Sequence, residues 1–207
     1  MYPFTLLGTW FHEMGHGITS MLVGGTFVKL EIFNDGSGLA YSSYQDFYIK
    51  KNIALALVSA AGLMGPPIMG SILILMSKSF KKSTIILYAL SIAMALSVII
   101  WVRTGVGIIT ISLLAGLFFF IAYKGGDRFK QLAVQIIGLQ ACLSTYLQIN
   151  YLYTEKVSVG GNPTGYSDTG NIAQHLGGTY WIWGTLIGIA GFTLLITSLY
   201  YRFRSLK

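Results

Sequence analysis

The sequence predicts an all-α polytopic membrane protein, with about six transmembrane helices and a small β-hairpin after the first. Three observations lead there. Of the 207 residues, 54% are hydrophobic and 10% are charged, where a soluble domain usually carries about 25% charged residues. The apolar residues gather into stretches long enough to cross a bilayer. The basic residues fall between those stretches, as Lys50-Lys51, Lys78/Lys81/Lys82, Lys124/Arg128/Lys130 and Arg202/Arg204/Lys207. Clusters of this kind meet lipid headgroups and set orientation. The net charge of +7 therefore points to a bilayer as partner and not to nucleic acid. A single membrane-embedded domain over residues 1–207 is expected, in a multi-pass protein of the cell membrane.

The first span covers about Tyr2 to Gly25, with Gly24-Gly25 as its C-terminal stop. No basic segment precedes it, so it is not read as a cleaved signal peptide. Thr26 to Phe33 alternates apolar and polar residues, the period of a strand. Asn34-Asp35-Gly36-Ser37-Gly38 is turn chemistry, and Leu39 to Ser42 reads as the returning strand. The second span, Asn52 to Ser77, holds Gly62-Leu63-Met64-Gly65-Pro66-Pro67, where the prolines are expected to kink or break the helix. A third span, Ser83 to Val102, and a fourth, Thr104 to Tyr123, are separated by Arg103; one very long helix is the alternative. The fifth runs from about Gln131 to Tyr153. Thr154 to Tyr166 reads as a polar loop. Ser167-Asp168 looks like a helix N-cap, opening a short helix to about Leu176. A break at Gly177-Gly178 precedes a sixth span through Tyr201, with Trp181, Trp183, Tyr200 and Tyr201 at interfacial depth. The lone cysteine, Cys142, excludes an intrachain disulfide.

The chemistry concentrates in His12-Glu13-Met14-Gly15-His16. On a helix, His-Glu-x-x-His puts two imidazoles on one face, within reach of one zinc ion. The intervening Glu13 can then act as base toward a metal-bound water. Ionisable side chains at membrane depth are costly and usually functional, which weighs against a pair of mere core histidines. Catalytic zinc takes a third protein ligand, and the candidates are Glu31, Asp35, Asp46, Asp127, Glu155, Asp168 and His175. Asp168 is favoured because it begins a helix that enters an apolar region; its plain alternative is an N-cap. His175 follows seven residues later on roughly the same face.

The run Phe11 to Gly17, closing on Val23-Gly24-Gly25 and followed by the alternating strand, resembles the site-2 protease family of intramembrane zinc metallopeptidases. It is closest to the short M-50B-like branch. Gly62 to Pro67 resembles that branch's Gly/Pro-rich second motif, and Ser167-Asp168 its third, where the Asp completes the zinc site. Better-known members carry Asp-Gly at the third motif, with Asn and Pro upstream; here the match is Asn162-Pro163 with Asp168-Thr169. The resemblance implies one zinc ion held by His12, His16 and Asp168, with Glu13 as the proton carrier in hydrolysis of membrane-protein substrates. The strand residues Val28, Leu30 and Ile32 then offer an edge to which an extended substrate pairs, or form a structural cover over the site. A non-proteolytic membrane protein for metal binding, transport or partner binding is the alternative. For orientation, the positive-inside rule favours a cytoplasmic N-terminus, whereas the resemblance implies that the loop after the first motif faces the cytoplasm.

Overall fold

The structure is a computed structural model, and it describes residues 2–147, 149–159 and 162–204. Helix α1 (Tyr2–Leu22) leads into strands β1 (Gly25–Ile32) and β2 (Gly38–Tyr44). Four helices follow: α2 (Lys51–Met76), α3 (Phe80–Ile100), α4 (Gly105–Lys124) and α5 (Asp127–Leu147). A one-turn helix, α6 (Ile149–Leu152), then precedes β3 (Lys156–Val159) and β4 (Asn162–Tyr166). Helices α7 (Asp168–Leu176) and α8 (Tyr180–Arg204) close the described chain.

Among the described residues, four helices, α2, α3, α4 and α8, are long and apolar enough to cross a membrane. The expectation of about six spans is met on those grounds by four. The other two candidates, α1 and α5, have 21 residues each, about 31 Å at 1.5 Å per residue. Their length is sufficient, but polar side chains lower their apolarity: His12, Glu13 and His16 in α1, and Asp127, Arg128 and Lys130 in α5. In α1 those side chains face protein. Leu6, Leu7, Trp10, Phe11 and Met14 are all buried in the main core, together with Val134, Ile137 and Ala141 of α5.

Helix α2 is the hub, packing on α1, α5, α7 and α8. Pro66 and Pro67 do not break it: the helix is continuous over its 26 residues. The physical reason lies in α5. Proline at position 67 cannot donate to the Leu63 carbonyl one turn back. The Thr145 hydroxyl donates to that carbonyl instead, at 3.3 Å. Cys142 Sγ lies 3.5 Å from the Pro67 carbonyl oxygen and 3.7 Å from Ser71 Oγ, a buried core position.

The hairpin after α1 is antiparallel, pairing Gly25 with Tyr44 through Ile32 with Gly38, with an irregularity between Phe27 and Lys29. The connection between α3 and α4 is the expected tight turn, and it has a second role. Leu30 N–H donates to Trp101 O at 2.8 Å, and Arg103 N–H donates to Leu30 O at 3.0 Å. The Thr104 hydroxyl accepts from Ile32 N–H at 3.1 Å and donates to Ile32 O at 2.8 Å. The edge of β1 away from β2 is thus closed by the 101–104 turn. The expected polar loop between Thr154 and Tyr166 is a second antiparallel hairpin, with Lys156 opposite Tyr166. Its strands of four and five residues are too short for alternation to reveal. The break between α7 and α8 falls where expected: Gly177 and Gly178 both have φ near +83°, a region glycine enters without steric cost.

Candidate metal centre

His12 and His16 occupy successive turns of α1, so their rings lie on one face. The His16 ring sits against α2, where the Gly62 position comes so close that a Cβ there would lie 2.2 Å from its Nε2. Its Nδ1 bonds the Val58 carbonyl at 2.8 Å. A carbonyl only accepts, so Nδ1 carries the hydrogen and the neutral ring presents a lone pair at Nε2. His16 Nε2 lies 3.1 Å from His12 Nε2.

Asp168 completes the group from the first turn of α7. Its Oδ2 lies 3.0 Å from His12 Nε2 and 3.4 Å from His16 Nε2. The capping role belongs to its neighbour: Ser167 Oγ accepts from Gly170 N–H at 3.1 Å, satisfying an orphan donor of the helix start. The same hydroxyl donates to Thr154 O, and Ser167 N–H donates to Glu155 O at 2.8 Å. With the cap filled and the turn tied to the chain before it, the Asp168 carboxylate points into the cluster, where it is buried.

This donor set fits a zinc ion. The three ligand atoms lie within 4.8 Å of one another, and ligands held about 2.0–2.1 Å from a tetrahedral ion sit roughly 3.3 Å apart. Two imidazole nitrogens and one carboxylate oxygen are zinc-type donors. The three donor atoms face one another at 3.0 to 3.4 Å, a spacing that one shared cation would fit. Among the described residues, this is the group of three or more His, Cys, Asp or Glu spaced to hold a metal.

Glu13 is buried beside the cluster, within hydrogen-bonding reach of the Ala40 backbone amide of β2. Gly38 makes room for it; a Cβ there would come within 3.0 Å of Glu13 Oε1. Two cavities open onto the group. One, of about 340 Å³, reaches from His12 and Glu13 past Thr9, Ser144, Thr145 and Lys156. The other, of about 310 Å³, runs along β2 past Leu39, Ala40 and Ser42 toward Asn171 and His175.

The other ligand candidates lie elsewhere. Glu31 is engaged on the hairpin: Lys29 Nζ donates to it at 2.8 Å and the Tyr41 hydroxyl at 3.0 Å. The Lys29 ammonium, helped by Tyr41, holds the Glu31 carboxyl below the usual carboxylate range. Asp35 accepts from the Ser37 amide and hydroxyl within its turn. Asp46, Asp127 and Glu155 are exposed. His175 lines the second cavity outside the cluster. The Asn162 side chain lies outside what the structure describes.

The strand residues are placed differently from the expectation. Leu30 and Ile32 are buried in the core, and Val28 is exposed at the irregularity of β1. Because the 101–104 turn closes the outer edge of β1, that edge is not open to a peptide. The strand that lines the second cavity is β2. Sequence reasoning missed Tyr151, whose hydroxyl bonds Asp168 Oδ2 at 3.1 Å. It sits 17 residues upstream of Asp168, in a stretch read as the end of a span, and no local pattern marks it.

A family model described as Peptidase M50B-like matches residues 1–198. The chain belongs to that family, the M50B-like branch of the site-2 proteases. Comparison with curated proteins and with solved structures found no match.

Proposed function

We propose that this chain is a six-pass intramembrane zinc metalloprotease that hydrolyses peptide bonds of membrane-associated proteins. The observation that carries the reading is the convergence of His12, His16 and Asp168 on one point, with the Glu13 carboxylate buried beside them. Membership of the Peptidase M50B-like family supports it, as do the four apolar helices. Helices α1 and α5 complete the six passes: Glu13 of α1 and Ser144 and Thr145 of α5 are buried in the protein, and the charged residues of α5 stand at its start.

His12, His16 and Asp168 would hold the ion. Zinc there would supply Lewis acidity toward water and the scissile carbonyl. Glu13 removes a proton from the attacking water as its oxygen bonds the carbonyl carbon. The same carboxyl then delivers that proton to the amide nitrogen as the C–N bond breaks. A peptide still wound in a helix shields its carbonyls, so the substrate segment reaches the site extended. It lies alongside β2, whose residues Gly38 to Ala40 run beside Glu13. Water enters through the cavity lined by Thr9, Ser144 and Thr145, since irregular or polar lining at this depth survives beside water.

The test is bound zinc in the purified chain, by elemental analysis, with cleavage of a tethered substrate in parallel. About one zinc per chain is expected, lost in His12→Ala and in Asp168→Ala. Glu13→Gln is expected to keep the zinc and lose at least ~100-fold in turnover, the scale of general acid–base catalysis. Equal turnover in that variant sinks the mechanism, and a folded chain without metal sinks the reading.

A further inference from the structure

Tyr151 stands in the site with no part in the reaction drawn above. Its hydroxyl donates to Asp168 Oδ2 at 3.1 Å. That is the oxygen facing both imidazoles, at 3.0 and 3.4 Å. Its ring meets the His12 ring edge-on, with centroids 6.0 Å apart. The side chain lines both cavities.

The fold builds that position from three elements. Tyr151 belongs to the one-turn α6, which has too few residues to be stable by itself. Its neighbour Leu152 is buried against Leu63 of α2, Ile172 of α7 and Ile187 of α8. The Leu152 carbonyl rests on α8 at Gly184, where a Cβ would lie 2.3 Å from its oxygen. The turn is therefore seated by a hydrophobic anchor and by a glycine that admits its backbone. What this seating delivers to the centre is one hydroxyl.

Ser167 fills the cap, and the groups that meet Asp168 Oδ2 come from outside α7: His12 and His16 of α1 and Tyr151 of α6. The His16 ring has its own fixed partner in the Val58 carbonyl. The Tyr151 bond does the equivalent for Asp168. It marks out one oxygen, Oδ2, the one that faces the two imidazoles.

We propose that Tyr151 is a positioning residue of the metal centre: its hydroxyl sets the Asp168 carboxylate, and so governs how tightly the centre holds a divalent cation. The proposal rests on the reading of His12, His16 and Asp168 as metal ligands. Groups that orient ligands in this way change metal affinity by about 10–100-fold when removed.

The experiment uses the full chain in detergent, stripped of metal and titrated with zinc against a chromogenic chelator. Tyr151→Phe keeps the ring against His12 and removes only the hydroxyl. It is expected to bind zinc about 10–100-fold more weakly. The visible spectrum of the cobalt-loaded variant is expected to differ from that of the parent chain, while thermal unfolding of the metal-free protein is unchanged. Gly184→Ala, which lifts the α6 turn without touching the hydroxyl, is expected to weaken zinc in the same direction. Tyr153→Phe serves as control, because Tyr153 is exposed and its hydroxyl contacts Thr185; its affinity is expected to match the parent. Parent-like zinc affinity and cobalt spectrum in Tyr151→Phe overturn the proposal. So does a loss of affinity matched by an equal loss of stability without metal. A parent chain that binds no zinc defeats the proposed function itself and this inference with it, an outcome separate from parent-like binding in Tyr151→Phe.

Discussion

At the scale of single residues, the site depends on atoms that are missing as much as on those present. Gly62 is the sharpest case, because a Cβ there would fall 2.2 Å from both Cε1 and Nε2 of His16. The obstruction would be the His16 ring itself, already tethered at Nδ1 to Val58, so the ring would have to leave its place. Gly62→Ala separates two effects that usually travel together. Alanine raises intrinsic helix stability by about 1 kcal/mol over glycine, so α2 is expected to keep or gain helicity. Zinc affinity is expected to fall by about tenfold or more, on the scale at which misplaced ligand supports act. Circular dichroism and a zinc competition titration on the same sample check both halves. Parent-like zinc binding would mean that the His16 ring is not held against α2.

At the scale of elements, α2 shows how a helix carries two prolines near its centre. The Leu63 carbonyl, left without its partner by Pro67, accepts from Thr145 of α5 at 3.3 Å. A double-mutant cycle measures that exchange. Thr145→Val is expected to destabilise by ~0.6 kcal/mol or more, the average for side-chain hydrogen bonds between helices in a membrane protein. In a Pro67→Ala background the backbone N–H returns and Thr145→Val is expected to cost less. Additive effects, read by unfolding in detergent, would show that the hydroxyl does not replace the missing donor. The same helix marks how far sequence reasoning reaches. His12, Glu13 and His16 were legible because helix geometry alone puts them together, and the turn at Gly177-Gly178 because glycine announces it. The intact α2 was not legible, since its repair comes from a threonine 78 residues away from Pro67. The closed edge of β1 was hidden for the same reason. It is sealed by Trp101, Arg103 and Thr104, far along the chain. Tyr151 belongs with these: its role comes from where α6 docks, which no local period encodes.

At the scale of the whole molecule, hydrogen bonds between distant connections sort the chain into two ends. At one end, the β1–β2 hairpin is joined to the 101–104 turn through Leu30 and Ile32. At the other, Ser77 accepts at its carbonyl from Gln131 at 2.9 Å and at its hydroxyl from Arg202 at 3.0 Å. That joins the end of α2, the start of α5 and the end of α8. Six passes put Lys50 and Lys156 at the hairpin end and Lys81 and Lys124 at the Ser77 end. Single cysteines at these four exposed positions, probed with a membrane-impermeant maleimide in sealed vesicles, test that arrangement. Cys142 is buried, so its background labelling is expected to be low. Lys50→Cys and Lys156→Cys are expected to react from one side, and Lys81→Cys and Lys124→Cys from the other. Labelling of the Lys124 and Lys156 positions from the same side would show that α5 does not cross, and six passes would be wrong. The same data decide orientation, on which charge and resemblance disagree. More of the basic clusters lie at the Ser77 end, which the positive-inside rule assigns to the cytoplasm. Labelling of the Lys50 position from the cytoplasmic face would instead place the hairpin on that side, as the family resemblance implies.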